Sequence, residues 1–154
     1  MLDNIRSLEN IGSIFRTGDG LALNKIYLCG ISGMPPHPKI SKTALGADNW
    51  IVWEKRWQTW RVIEKLKDQD FQVVSLELTK DAIPYFKFKP KFPLALVVGN
   101  EVKGISKGVL RRSDQIIYLP MFGRKESLNV AVAFGIAGFY INQFRVKKAQ
   151  NSKR

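Results

Sequence analysis

Short apolar runs rich in β-branched residues alternate along this chain with longer amphipathic segments, and this alternation constrains the fold more than any other feature. Each run has the length of a buried strand and is too short for a helix. The strand candidates are residues 25–29, 50–53, 72–77, 94–98 and 115–119. The helix candidates are residues 10–21, 57–69, 106–112 and 127–146. The pattern predicts a single α/β domain with a parallel-rich sheet flanked by helices.

The charge of the chain is concentrated in its second half. The 154 residues carry a net charge of +12, of which residues 82–154 contribute +11, with fourteen Lys/Arg against three acidic residues. Such an excess attracts polyanions at long range. Nucleic acid is the expected partner, although an anionic membrane surface or a gain in solubility would also account for the charge.

Several classes of protein are excluded by what the chain contains. Cys29 is the sole cysteine, so neither a disulfide framework nor a thiolate metal cluster can form within the chain, and no metal is expected. His37 is the sole histidine and is interpreted as a loop residue in the proline-rich segment 34–39. The most apolar stretch, residues 130–141, is shorter than the roughly 20 residues of a membrane span. A soluble, cytoplasmic protein is expected.

Two predicted helices differ in how their apolar residues are arranged. In the helix over 57–69, Trp57, Trp60, Ile63 and Leu66 recur at three-residue steps, which predicts one face packed in the core. In the helix over 127–146, apolar residues occupy the whole circumference. Such a helix must be covered on several sides. We therefore expect a second subunit to pack on it, most simply in a two-fold homodimer.

The segment 83–93 mixes proline, lysine and aromatic residues and admits two interpretations. It is either a connection before the strand at 94–98 or a stretch that binds RNA. In the second case its aromatic residues would stack on bases and its lysines would bind phosphates. These residues are Tyr85, Phe86, Phe88, Lys87, Lys89 and Lys91.

A glycine-bounded loop follows the strand at 94–98 and leads into a helix. Glycines allow a backbone to approach a ligand closely, and ligands bind beyond the carboxyl ends of such strands. Gly99 and Gly104 have the spacing of a phosphate-binding loop, but Ile105 stands where that loop needs lysine. Asn100 and Glu101 leave no second glycine for a dinucleotide fingerprint. Glu101 would also repel a pyrophosphate, so the loop favours a cationic or uncharged ligand.

Two further segments carry polar residues at predicted helix starts. Ser127 is expected to cap the last helix, with Asn129 in its first turn facing a ligand. The two strand-end loops then form either one pocket or two ordinary capped turns.

Near the chain start, Asn10 is expected to cap the first helix. Gly12 in the first turn lowers helix stability by up to about 1 kcal/mol relative to alanine, which suggests that something needs close access there. Arg16 shares the face of Gly12 and could grip a phosphate, or be a surface arginine.

These three segments, in this order, resemble the three motifs of the SpoU, or TrmH-like, RNA ribose methyltransferases of the SPOUT superfamily. The residues that carry the resemblance are Asn10, Gly12 and Arg16, then Gly99, Asn100, Glu101 and Gly104, then Pro120, Met121, Gly123, Ser127, Leu128 and Asn129. Residues 42–47 also resemble the region that connects these motifs in TrmH-like members. The resemblance spans nearly the whole chain. It implies a trefoil-knotted α/β fold over residues 1–146 and a homodimer that completes the active site. The composition of residues 147–154 separately predicts a basic, disordered tail.

The resemblance also implies an activity and a set of site residues. The activity is transfer of a methyl group from S-adenosyl-L-methionine to a ribose 2′-hydroxyl of RNA, with no metal. The expected cofactor-binding residues are Leu76, Gly99, Leu119, Met121, Ser127 and Leu128. Arg16 would act from the partner subunit, while Asn10, Glu101, Ser127 and Asn129 position the ribose and hold the loops. Because an arginine side chain stays protonated in proteins and is a poor base, we expect Arg16 to bind a phosphate and stabilise oxyanion charge.

Departures from the family pattern bear on the substrate. Only residues 1–4 remain of the strand that usually precedes the first motif, so either the start of the chain is placed late or that strand is shortened, which leaves the edge of the sheet open. Gly18 replaces the usual alanine. No N-terminal RNA-binding domain like that of larger ribosomal-RNA members precedes the motif, which makes tRNA the expected substrate. The alternative is a non-catalytic knotted RNA-binding module. The intact residues Arg16, Glu101, Ser127 and Asn129 argue against it.

Overall fold

Seven parallel strands form one sheet in the computed structural model, which describes the backbone of residues 1–151 and the side chains of residues 1–145. The strands are β1 (Leu2–Asp3), β2 (Ile26–Cys29), β3 (Trp53–Arg56), β4 (Gln72–Leu76), β5 (Ile83–Pro84), β6 (Leu94–Gly99) and β7 (Gln115–Tyr118). The helices are α1 (Leu8–Gly20), α2 (Pro38–Ala44), α3 (Thr59–Lys67), α4 (Lys107–Leu110) and α5 (Val130–Asn151). The strand order is β3-β2-β1-β6-β4-β7-β5. The predicted α/β domain with a parallel sheet flanked by helices is confirmed.

Helices cover both faces of the sheet. On one face α1, α2 and α5 enclose a core that includes Phe15 and Phe134. On the other face α3 and α4 pack through Ile63 and Val109. Successive residues of β4 point to opposite sides, as in any strand, so that Val73 joins the α3/α4 core and Val74 joins the α5 core.

The parallel arrangement places all strand carboxyl ends along one edge. Gly99 of β6 lies in register with Asp3 of β1, and Leu76 of β4 lies in register with Ile117 of β7. Since β4 lies between β6 and β7, the loops that follow β6 and β7 emerge close to the end of β4. This edge is where α/β sheets bind ligands.

Helix α1 begins earlier than predicted. Ser7 is its N-cap, with the Ser7 Oγ accepting a hydrogen bond from the Asn10 N–H at 3.1 Å, so the prediction that Asn10 caps the helix was wrong. Ser7 and Asn10 are equally good capping residues by type, and the buried Ile5 and Ile11 fix where the chain turns. The correction leaves the Asn10 amide free for other partners.

Helix α5 begins later than predicted. Asn129 caps it, with its Oδ1 accepting the N–H groups of Ala131 at 2.9 Å and Val132 at 3.3 Å, and the predicted cap Ser127 lies in the preceding loop. The helix extends to Asn151, beyond the predicted end at 146. The disordered tail predicted for 147–154 stays a prediction, and residues 152–154 lie outside the described residues.

One side of α5 remains uncovered. Phe134, Ala137 and Ile141 are buried against the sheet, whereas Val132, Ile136 and Phe139 are exposed at a helical spacing. The prediction of a helix that is apolar on more than its core face therefore holds within the described chain. No helix there is both long enough and apolar enough to cross a membrane.

The third strand was predicted three residues too early. Residues 50–53 were expected to form it, but a 3-10 turn at Ala47–Asn49 continues through the buried Ile51, whose N–H donates to the Ala47 carbonyl. Trp57 was also placed wrongly, because it precedes α3 and is 80% exposed, while Ile63 and Leu66 form the buried face of that helix.

Three elements were not among the strand and helix candidates because they are short or start at proline. Strand β1, within residues 1–4, has two residues and lies inside the sheet between β2 and β6, so the shortened strand does not form the sheet edge. Strand β5 also has two residues. Helix α2 begins at Pro38, and His37, predicted to be a loop residue, caps it through its Nδ1, which accepts the Lys39 N–H.

Gly12 explains how α2 packs so closely on α1. A Cβ at this position would overlap the Thr43 Oγ1 and the Ile40 carbonyl of α2. The prediction that something needs close access at Gly12 therefore identifies a helix contact rather than a ligand. The contact places α2 next to the face of α1 that carries Arg16.

Candidate functional site

A cleft of about 450 Å³ opens at the carboxyl ends of β4, β6 and β7. All six residues predicted to bind the cofactor line it, and Glu101 and Asn129 line it as well. The six are Leu76, Gly99, Leu119, Met121, Ser127 and Leu128. The alternative that the two strand-end loops are separate capped turns does not hold, because the loops form opposite walls of one cleft. A larger apolar hollow at the opposite edge of the sheet contains none of the predicted site residues.

The cleft is acidic although the protein is basic. Glu77, Glu101 and Glu126 line it, and none of the described residues that line it is a lysine, arginine or histidine. In a chain of net charge +12, such an arrangement disfavours phosphates and favours a ligand with positive charge.

Glu77, which sequence reasoning missed, holds the glycine loop against the end of β4. Its carboxylate accepts the N–H groups of Leu78 and Ile105, both at 2.9 Å. Gly104 has a φ of +68°, and a Cβ there would also overlap the Glu77 carboxylate. An acidic residue directly after a buried strand was the available signal, but its partners are remote in sequence.

The tight fold of the loop depends on Gly99 and Asn100. A Cβ on Gly99 would lie 2.5 Å from the Ile105 backbone nitrogen, closer than side chains come to backbone. The Asn100 Oδ1 accepts the N–H groups of Val102 at 2.9 Å and Lys103 at 2.8 Å, which closes the turn. These contacts bring the loop back over the end of β6.

Three of the predicted catalytic residues form one hydrogen-bonded network. The Glu101 carboxylate accepts the N–H groups of Arg6 and Ser7 and the Nδ2 of Asn10, at 3.0 to 3.1 Å. The Asn129 Nδ2 donates to the Asn10 Oδ1 at 2.9 Å. The network thus joins the start of α1, the glycine loop and the N-terminus of α5. Its members hold the three motifs together, while Ser127 lies in the cleft wall outside it.

These hydrogen bonds change the ionisation of Glu101. Partial burial alone would raise its pKa, but the N–H of Arg6, the amide of Asn10 and further backbone N–H groups hold the pKa below its ordinary value of 4.5. Glu101 is therefore ionised at neutral pH.

Glu101→Gln is expected to lower the free energy of unfolding at neutral pH by about 1 kcal/mol or less, because an amide replaces one acceptor oxygen by a donor and the group is partly screened by solvent. The carboxylate contributes fully above its ordinary pKa of 4.5, and the contribution is lost as pH falls through the lower pKa of the folded state. Urea unfolding across pH measures the effect. Glu126→Gln, in the same cleft, is the control and should leave stability unchanged. A Glu101 effect that persists undiminished in strong acid would contradict the assignment.

Arg16 lies in a different hollow, of about 600 Å³, on the outer side of α1. Lys42 and the hydroxyl residues Ser13, Thr17 and Thr43 line this hollow with it, together with Leu45, Gly20 and the exposed Phe139 of α5. No acidic residue is among the described residues that line it. The structure therefore does not bring Arg16 to the cleft of its own chain. Among described residues, no three His, Cys, Asp or Glu side chains converge as they would at a metal.

This fold is shared with solved structures of RNA methyltransferases. The AdoMet-bound rRNA methyltransferase of Sinorhizobium meliloti superposes with a TM-score of 0.87 at 28% identity, over 93% of this chain and 54% of that one. The profile of the SpoU rRNA methylase family matches residues 1–139. The chain belongs to the SpoU rRNA methylase family, and the resemblance inferred from the three motifs is confirmed.

Relatives with assigned substrates include enzymes of both tRNA and rRNA. The chain is 30% identical to the tRNA (guanosine(18)-2′-O)-methyltransferase of Aquifex aeolicus, over 98% of this chain and 71% of that enzyme. It is 29% identical to the 23S rRNA (guanosine(2553)-2′-O)-methyltransferase of Bacillus subtilis, over 92% of this chain and 56% of that enzyme. The chain thus spans between about half and three quarters of the length of these relatives.

Proposed function

We propose that this protein transfers the methyl group of S-adenosyl-L-methionine to a ribose 2′-hydroxyl of RNA, with tRNA as the substrate. The observation that carries the proposal is the separation of charge between two sites. The cleft that contains the cofactor residues is acidic, and the hollow that contains Arg16 is basic. A sulfonium cofactor suits the first environment, and an RNA phosphate suits the second.

The cleft residues fit the cofactor in size and in chemistry. Its volume of about 450 Å³ lies in the range of small-molecule sites. Leu76, Leu119, Met121 and Leu128 offer apolar surface to an adenine ring, and backbone groups around Gly99 and Ser127 offer hydrogen bonds. When bound, the cofactor supplies an electrophilic methyl carbon. The described residues that line the cleft include no lysine, arginine or histidine that would bind the phosphates of a nucleoside triphosphate.

The residues of this chain act by positioning and by electrostatics. The Glu101–Asn10–Asn129 network fixes the loops that enclose the cofactor and thereby the direction from which the ribose approaches. The guanidinium of Arg16 binds the phosphate next to the target ribose and stabilises the negative charge that develops on the 2′-oxygen. The proton passes to that phosphate or to solvent, since arginine does not accept it.

A two-fold homodimer brings the two sites together. Arg16 lies outside the cleft of its own chain, and Phe139, which lines the Arg16 hollow, continues into the uncovered face of α5 with Ile136 and Val132. A second copy packed on this face would bury it and would place Arg16 beside the partner's cleft. The site is incomplete without that copy, because neither hollow alone contains both the cofactor residues and a phosphate-binding cation.

Three further features belong to the proposal. The trefoil knot of SPOUT methyltransferases, cytoplasmic location and preference for tRNA all remain part of the proposal. The tRNA enzyme of Aquifex aeolicus matches a larger share of its length than the rRNA enzyme of Bacillus subtilis does, which supports tRNA. The alternative of a non-catalytic RNA-binding module is disfavoured by the intact network around Glu101.

Calorimetry tests the cofactor assignment and the alternative together. We expect S-adenosyl-L-methionine to bind with one site per chain, and ATP, which shares adenosine but is a polyanion, to show no binding. Labelled cofactor and bulk tRNA should then give incorporation into RNA. Tight binding of ATP, or binding of RNA without cofactor affinity, would contradict the proposal.

A further inference from the structure

The segment between β5 and β6 is held firmly to the protein by its backbone and by one buried ring. The Tyr140 hydroxyl of α5 contacts the carbonyls of Phe86 at 2.8 Å and Phe88 at 3.0 Å. The side chain of Phe88 is 3% exposed. The Lys91 N–H donates to the Gln72 Oε1 at 2.8 Å. Residues 85–93 are therefore an ordered part of the surface.

The lysines of this segment form a row on its outer side. Lys87, Lys89 and Lys91 are exposed, while Phe88 and Phe92 between and beyond them pack into the α5 core. Lys87 is the last residue of a 3-10 turn over Tyr85–Lys87, and Phe88 after it has extended backbone angles. In an extended chain, residues two apart, as Lys89 and Lys91 are, share a side and lie about 6.6 Å from each other. That spacing is comparable with the distance between successive phosphates of a nucleic acid strand.

None of the three lysines has a carboxylate partner within the described part of the chain. Some lysines elsewhere do have one: Lys25 pairs with Glu54, and Lys67 pairs with Asp114 at 2.7 Å. The row therefore presents uncompensated positive charge from an ordered backbone. Little conformational entropy of the backbone is lost when it binds a polyanion.

The row leads away from the cofactor cleft. Pro84, directly before the segment, pairs in the sheet with Tyr118, which lines the cleft. The segment ends at Leu94, where β6 begins at the opposite edge of the sheet. Phe86, at the cleft end, is 53% exposed.

The interpretation in which all three aromatic residues stack on bases was wrong for Tyr85 and Phe88. Tyr85 packs edge-on against Tyr140, and Phe88 is buried.

We propose that Lys87, Lys89 and Lys91 bind successive phosphates of the RNA strand that flanks the methylated nucleotide, with Phe86 stacking on a base near the cleft. The inference rests on the proposed function, which makes RNA the substrate. A single row of cations beside one exposed ring matches one nucleic acid strand, with stacking and charge combined. An anionic membrane would instead require a broad basic patch with apolar residues that insert.

The triple variant Lys87→Gln, Lys89→Gln, Lys91→Gln tests the row. Titration with bulk tRNA should show about tenfold or more loss of affinity near 0.1 M salt. Over a range of salt concentrations, the slope of log affinity against log salt concentration should be shallower by about two. The KM for RNA should rise while kcat and cofactor binding stay near wild type. Phe86→Ala should weaken binding of a single-stranded oligonucleotide by about tenfold.

The matched control is Lys65→Gln, Lys107→Gln, Arg111→Gln. It removes the same charge from exposed residues on the α3/α4 face, opposite to the row. We expect it to change RNA affinity less than threefold.

Equal losses of RNA affinity in the triple variant and in the control would overturn the proposal for the row. Unchanged RNA affinity in the triple variant would overturn it as well, even while methyl transfer continued. Loss of binding to phosphatidylserine vesicles with RNA binding intact would also overturn it. RNA binding that depends on the row, without any RNA methylation, would support the row and refute the methyltransferase proposal.

Discussion

Arg16→Ala is expected to lower the rate of methyl transfer by about 10³-fold while leaving the affinity for S-adenosyl-L-methionine within about twofold of wild type. The reason is geometric: Arg16 lies in the basic hollow and not among the residues that line the cofactor cleft. The Arg16 side chain is exposed and makes no hydrogen bond or ion pair with the described residues, so the variant should also fold normally. Turnover with labelled cofactor, calorimetry and thermal unfolding measure the three quantities.

Arg16→Lys separates charge from geometry. Lysine keeps the positive charge but lacks the planar fork that binds a phosphate through two parallel hydrogen bonds. We expect activity between those of alanine and wild type. Full activity in Arg16→Ala would contradict the role assigned to the residue.

Mixing two inactive variants tests whether Arg16 acts across the dimer. Combining Arg16→Ala with a variant unable to bind cofactor should restore about a quarter of wild-type activity, because half of randomly mixed dimers are hybrids with one complete site in two. Sedimentation of each variant must first show that it is dimeric. No recovery with dimers exchanging freely would show that Arg16 serves the cleft of its own chain.

The second large effect is expected for Gly99→Ala, which should abolish measurable cofactor binding and with it methyl transfer. The added Cβ would lie 2.5 Å from the Ile105 nitrogen and 2.7 Å from the Gly104 carbonyl carbon. Because both are backbone atoms, the loop must shift, at a cost of about 1–3 kcal/mol of stability. The shift displaces one wall of the cleft. Calorimetry and urea unfolding measure the two effects.

Gly123→Ala is the matched control for that substitution. It lies in the opposite loop, and a Cβ there would meet no atom within 4 Å. Cofactor affinity and stability should stay near wild type. If both variants lost binding equally, the close packing at Gly99 would not be the cause.

The fold and the cleft were predictable because their signals are local. Buried strands followed by glycine loops mark Gly99 and Ser127 as neighbours once the strands are taken to be parallel. The first residues of the helices were harder to predict, because two suitable capping residues lie close together at each start. These are Ser7 and Asn10 for α1, and Ser127 and Asn129 for α5. Packing of distant residues decides between such equivalent candidates.

Features that depend on distant contacts could not be predicted. Glu77 acquires its role from Gly104 and Ile105, more than 25 residues away. The two-residue strand β1 lies in the centre of the sheet only because β2 and β6 pair with it. The separation of Arg16 from the cleft follows from the direction of α1 relative to the sheet, which no spacing within the first motif encodes.

The methyl group is expected on the ribose of the target nucleotide. Incubation with labelled S-adenosyl-L-methionine and bulk tRNA, followed by digestion to nucleosides and mass spectrometry, locates the methyl group directly. We expect a nucleoside whose added methyl is on the sugar, formed by the wild type and absent with Arg16→Ala. A methyl group on a base, or label incorporated equally by both proteins, would contradict it.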